Sequence, residues 1–174
     1  MKQRTKRPNM NPSAKLSDLI SALDMPSEEF CAYFDRKTGA VVLVEESMLS
    51  HPQDGEDEDL DDFEEWQKKE YEVAKEIADD DGSRFIPAPD QFDFHEYRVM
   101  EEFIRSIDDN EAANQLWNAI NGPGAFRYFK DTLYGLGMHQ SWYDYLEKAQ
   151  RAFVIAWAKE NNVAFEDDLR KSRK

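Results

Sequence analysis

From Asn121 to Trp142 the chain reads NGPGAFRYFKDTLYGLGMHQSW, and its glycines decide how the segments on either side are read. Gly122 and Gly124 bracket Pro123, which marks the place where one helix stops and another starts. Glycine takes the left-handed conformation that closes a helix, and proline is tolerated in the first turn of the next. Beyond the turn Phe126, Phe129 and Leu133 fall on one helical stripe that runs to Gly135. A further helix begins near Ser141, with Trp142, Tyr145, Leu146, Ala149, Phe153 and Trp157 three or four residues apart.

Toward the N-terminus the same spacing predicts a helix from Asp109 to Asn121 with Ala113, Leu116, Trp117 and Ile120 inward. Before it, Asp93 and Glu96 form a capping pair for a helix that buries Tyr97, Met100, Phe103, Ile104 and Ile107. Four short helices with brief connections make a bundle-like layer. Phe85-Ile-Pro-Ala-Pro89 precedes this layer as an extended connector, because a residue before proline is pushed out of the helical region.

The first half reads differently. Leu16, Leu19, Ile20 and Leu23 line a helix that Ser13 or Ser17 can cap. Phe30 to Phe34 and Val41 to Val44 are strand-like runs around a turn in which Gly39 supplies positive φ, so they form a β-hairpin. Two strands are marginal alone, and Arg84 to Ile86 is the candidate third. The fold class is therefore α+β and mostly helical: an N-terminal helix and a small hairpin or three-stranded sheet, packed with a C-terminal layer of four helices. Residues 13–166 form one domain, flanked by basic tails at 1–12 and 167–174 that are expected to be disordered.

The net charge of −15 is local. His51 to Asp81 holds 15 acidic residues against 3 lysines, so −12 of it sits in that segment. Nine acids between Asp54 and Glu65 repel one another too strongly for a compact arrangement, so a solvated acidic loop at about 51–62 is expected. An acidic helix follows at about 61–79, its apolar face made by Phe63, Trp66, Val73 and Ile77, with Asp61 or Asp62 at its N-terminal end. Asp57, Asp59, Asp61 and Glu64 are the residues expected to meet a basic partner. They do not make a calcium loop: from Asp57 the sixth position is Asp62 where glycine is required, and the twelfth is Lys68 where a glutamate is required.

Other chemistry is sparse. Cys31 is the one cysteine, so no intramolecular disulfide and no cysteine-based zinc site can form, and a reducing cytoplasm fits. No run approaches the roughly 20 apolar residues of a spanning helix, which argues against a membrane protein. His51, His95 and His139 have no metal-ligand spacing, and no nucleophile-elbow, Walker A or dinucleotide-binding pattern occurs. No catalytic residue, metal or cofactor is therefore expected.

One candidate ligand surface remains. The turn at Gly122 and Gly124 feeds into a helix whose free N–H groups and dipole suit an anion; Arg127 and Lys130 lie one turn apart on that helix, and His139 lies further along the stretch. Tyr128 and Tyr143 are the rings left free to stack on a base, since Phe126, Phe129 and Trp142 fall on apolar stripes.

In order along the chain, five segments resemble the bacterial uncharacterised protein family 0158: the hairpin Tyr33-Phe-Asp-Arg-Lys-Thr-Gly-Ala-Val41, Phe85-Ile-Pro87, Met100-Glu-Glu-Phe-Ile104, Gly124-Ala-Phe-Arg-Tyr-Phe-Lys-Asp131 and Trp142-Tyr143. The resemblance spans roughly residues 16–163. It implies a bacterial cytoplasmic single domain, carries no catalytic residue across, and makes the acidic stretch from about Gln53 to Glu70 variable within the family.

Three functional expectations follow. The first is a non-enzymatic interaction or regulatory module whose acidic segment meets a protein with a basic surface. The second is a binder of, or an enzyme acting on, a phosphate-bearing ligand or RNA at Gly122, Gly124, Arg127, Lys130 and His139. The third is an acidic mimic of DNA.

Overall fold

A computed structural model describes residues 12–25, 29–50 and 64–169. In chain order the elements are β1 (Ala14–Lys15), α1 (Leu16–Leu23), β2 (Phe30–Asp35), β3 (Val41–Glu45), α2 (Glu46–Ser50), α3 (Glu65–Ala78), β4 (Phe85–Pro87), α4 (Gln91–Phe94), α5 (Glu96–Arg105), α6 (Asn110–Ala119), α7 (Ala125–Gly135), α8 (His139–Glu160) and β5 (Phe165–Glu166). The chain is mixed α+β and mostly helical, as its patterning predicts. It divides into two compact units: one takes the chain up to Asp90 and again from Ile155, the other is Gln91–Val154.

In the first unit β2 is the central strand, antiparallel to both β3 and β4. Phe34 stands opposite Val41 on one side and Ile86 on the other. The connector before the helical half is thus the third strand. Val44, Ala74, Ile77 and Phe85 form a buried cluster in this unit, against which Tyr33, Val42, Met48, Leu49 and Val73 pack. Trp66, expected on the buried face of α3, is instead 59% exposed in its first turn. A two-residue parallel pair, β1 with β5, joins Ala14 to Phe165; its strands are too short for any sequence periodicity to reveal.

The hairpin turn is organised by Asp35, which is 2% exposed. Its carboxylate accepts from Lys37 N at 2.8 Å and the Thr38 hydroxyl at 3.0 Å. Arg84 donates to both of its oxygens at 3.0 Å, and turns a third nitrogen to Glu76 at 2.8 Å. Burial alone would raise the Asp35 carboxyl; the Arg84 hydrogen bonds, those from Lys37 and Thr38, and the Arg84 charge outweigh it and hold the group below its ordinary value. Arg84 also lies over the Phe85 ring at 4.4 Å.

Gly39 has φ 78° in this turn, and a Cβ there would stand 2.7 Å from the Pro12 Cβ. Both conformation and space therefore forbid a side chain. Gly39→Ala is expected to lower the unfolding free energy by about 1–2 kcal/mol, measured by denaturant melts. A neutral result would mean the turn takes another geometry.

Two expected ends differ. α1 is preceded by Lys15 with no side-chain cap, and Ser17 lies inside the helix. There Ser17 N donates to Asp168 at 3.1 Å and its hydroxyl donates to the other oxygen of the same carboxylate. The segment from Asp167 was expected to be a frayed tail; Asp168 is instead anchored to α1, and this pairing holds its carboxyl below the ordinary value. Residues 1–11, 51–63 and 170–174, which include most of both basic tails and the acidic loop, lie outside the described residues.

The second unit is a helical layer with an aromatic hub. Phe103 of α5 meets Phe129 of α7 at 6.3 Å, and Trp142 and Tyr145 of α8 at 5.3 Å each, all edge-on, while Phe129 and Trp142 meet at 4.9 Å. Edge-to-face pairs set the positive ring edge against the negative face of the next ring and add to burial. Met100, Ile104, Leu116 and Leu133 complete the core. Asp109 caps α6, accepting from Glu111 N at 2.9 Å and Ala112 N at 3.2 Å. The predicted start at Asp93 resolves into the single turn α4 and a new start at His95, whose φ is 49°.

Candidate functional site

Glycine sets both ends of α7. Gly122 has φ 111° just beyond α6, and Gly124, at φ 81°, is the residue before Ala125. Pro123 therefore precedes the helix rather than sitting in its first turn. At the far end Gly137 has φ 68°, with Met138 N bonded to Leu133 O at 2.9 Å and Gly137 N to Tyr134 O at 3.1 Å. This pair of bonds reverses the chain tightly at a helix end. α8 starts two residues later, and the reversal carries its first side chain back onto α7.

The result is a stacked pair. His139 lies against Tyr134 with ring centroids 4.8 Å apart and planes 14° from parallel. Tyr143, one turn along α8, raises the Tyr134 hydroxyl above its ordinary value, and the nearby Lys130 charge acts in the opposite sense. Tyr134 is 60% exposed and Tyr143 43% exposed. His139 keeps a buried Nδ1 with no hydrogen-bond partner among the described residues.

Arg127, Lys130, Asp131 and Tyr134 fall at spacings of three, four and seven, so they share one stripe of α7 opposite the buried Phe129 and Leu133. Arg127 is 3.9 Å from Asp131, with both side chains mostly exposed, so this pair holds the arginine only weakly.

The sequence-derived site separates into two places. Gly124 goes with Tyr128, whose ring covers it: a Cβ on Gly124 would stand 3.0 Å from the Tyr128 Cε2. Gly122 faces open space. Lys130 and His139 go with Tyr134 and Tyr143. Tyr134 lies ten residues beyond Gly124, which is about 15 Å along a helix axis, so His139 is not part of the glycine turn. Tyr128, 54% exposed, lies on another side of α7 from this cluster.

Two assignments of rings change. Phe126 was assigned to the apolar stripe and is 45% exposed, edge-on to Tyr97 at 6.4 Å. Tyr97, expected inside, is 40% exposed and donates its hydroxyl to Ile120 O at 3.1 Å, closing the end of α6. Tyr134 was not singled out as a free ring, although its spacing of four from Lys130 was a usable signal.

Of the residues expected to meet a basic partner, Asp57, Asp59 and Asp61 lie outside the described residues. Glu64 precedes α3, and its N–H donates to the Gln67 side chain at 2.9 Å, so it helps start that helix. Cys31 is half-buried on β2, and burial, then the Glu46 charge, push its thiol up, which disfavours the reactive thiolate. Among the described residues no group of three or more His, Cys, Asp or Glu is placed to hold a metal ion, and no helix is long and apolar enough to cross a membrane.

With the fold and this surface in place, the chain can be set beside known proteins. The family model described as "Uncharacterised protein family (UPF0158)" matches residues 10–174. The chain belongs to that family. The match covers nearly the whole chain and takes in both units, the acidic segment and the α7–α8 surface. Neither a curated protein nor a solved structure matches.

Proposed function

We propose that this member of the family is a non-enzymatic interaction module. The observation that carries the reading is the set of exposed rings in the second unit: Tyr97, Phe126, Tyr128, Tyr134 and Tyr143 are each at least 40% exposed. Tyrosine offers a large, stiff contact area and a polar tip, which is why it is enriched where proteins meet partners. Three of these rings stand on the single helix α7.

The acidic segment supplies the second contact. Its charge of −12 within 31 residues draws a partner with a basic surface and speeds encounter at low salt. Crosslinking in cells with mass spectrometry, on the full chain and on a chain lacking 53–65, tests this reading. Loss of a basic partner with the deletion is expected. If every partner stays in place, the role given to the acidic segment is wrong.

A second reading is favoured by one arrangement, the cations Arg127 and Lys130 on the same stripe as Tyr134. A phosphate-bearing ligand or RNA fits a surface of that composition. Inorganic pyrophosphate should then raise the melting temperature of the chain, and Arg127→Ala/Lys130→Ala should abolish the rise.

A further inference from the structure

An exposed tyrosine ordinarily turns among its rotamers. Tyr134 does not have that freedom. His139 covers one of its faces, and the glycine reversal at Gly137 fixes the start of the helix that carries His139. With 60% of the residue exposed, much of the ring remains open to solvent beside this stack. A ring held in this way loses little entropy when something flat is laid on it.

We infer that the open face of Tyr134 is a stacking platform for a base of single-stranded RNA, with Lys130 and Arg127 meeting the adjoining phosphates. This rests on the second reading above. A base is the flat group that arrives with negative charge, and the stripe provides a ring and two cations together. A second exposed ring, Tyr143, stands beside the first. An apolar peptide would use the ring and leave the cations unmatched. The acids on these two helices near the cluster are Asp131, 3.9 Å from Arg127, Asp144, which accepts from Gln140 at 2.9 Å, and Glu147, exposed one turn beyond Tyr143; they weaken phosphate binding and make it sensitive to salt.

The test is fluorescence anisotropy of a short fluorescein-labelled oligoadenylate RNA with the full chain at low salt. Saturable binding is expected, and Tyr134→Ala should weaken it about tenfold, the scale of one stacked base. Tyr134→Phe keeps the ring and should stay within about twofold of the parent. Lys130→Gln should weaken binding and flatten its salt dependence. No saturable binding by the full chain, or equal binding by Tyr134→Ala, overturns the platform. The pyrophosphate melt separates the two failures. If the shift that depends on Arg127 and Lys130 persists while Tyr134→Ala binds RNA like the parent, the platform falls and the anion reading stands; if neither is seen, both fall.

Discussion

Replacing Trp142 with alanine is expected to lower the unfolding free energy by about 3–5 kcal/mol, the range for removing a large ring from a core that cannot close around the gap. Trp142 is 1% exposed and meets two other rings edge-on, Phe103 at 5.3 Å and Phe129 at 4.9 Å. Its neighbours are themselves held by α5 and α7, so collapse into the cavity would have to move helices. Trp142→Phe should cost much less, under about 2 kcal/mol, because the ring contacts survive and the lost indole N–H is a buried donor with no partner among the described residues. Urea unfolding followed by far-UV circular dichroism reads both. A cost below about 1 kcal/mol for the alanine variant would place the ring outside the hub.

Asp35→Ala is expected to cost about 3 kcal/mol, since it leaves the Arg84 guanidinium without its main partner and strips two acceptors from the hairpin turn. The Arg84 side chain is 28% exposed and keeps Glu76, which holds the figure to the lower end of what breaking a buried ion pair costs. Adding Arg84→Met should return at least about 1 kcal/mol, because the stranded charge then goes too. The effect depends on pH in a fixed direction. The folded-state value of Asp35 is lowered, so its contribution is complete above the ordinary carboxylate range and disappears as the pH falls through the folded value. The gap between the parent and Asp35→Ala should therefore narrow on acidification below about pH 4. A gap that widens there would contradict the pairing.

What could be read from residues alone was whatever is local. Gly39 needed a turn, Asp109 a helix start and Phe85-Ile-Pro87 an extended run, and each is found where its own backbone preference puts it. The aromatic hub was legible as stripes, since Phe103, Phe129 and Trp142 each belong to a run of apolar residues at helical spacing on its own helix. Edges of stripes were not, because Phe126, Tyr97 and Trp66 lie at the border of an apolar face and spacing alone does not say how wide that face is. β1 and β5 carry too few residues to have a period at all. The burial of Asp35 was not legible, because its partner Arg84 lies far along the chain.

The candidate site divided in the same manner. The cations and glycines of α7 were visible from their spacing. The Tyr134–His139 stack was not, since it depends on how the reversal at Gly137 brings the start of α8 back onto α7. A histidine at a helix start gives no sign of which ring it will meet.

The pairing of Ala14 with Phe165, reinforced by Ser17 and Asp168, fixes an order of events during synthesis. Gln91–Val154 is continuous and can close its core as soon as it clears the ribosome. The other unit, whose sequence lies on both sides of it, has α1 and the three-stranded sheet synthesised early but is complete only when residues 165–168 emerge. For that interval the early segment is held without its last strand, so the late residues act as the latch on a unit whose first residues were made long before.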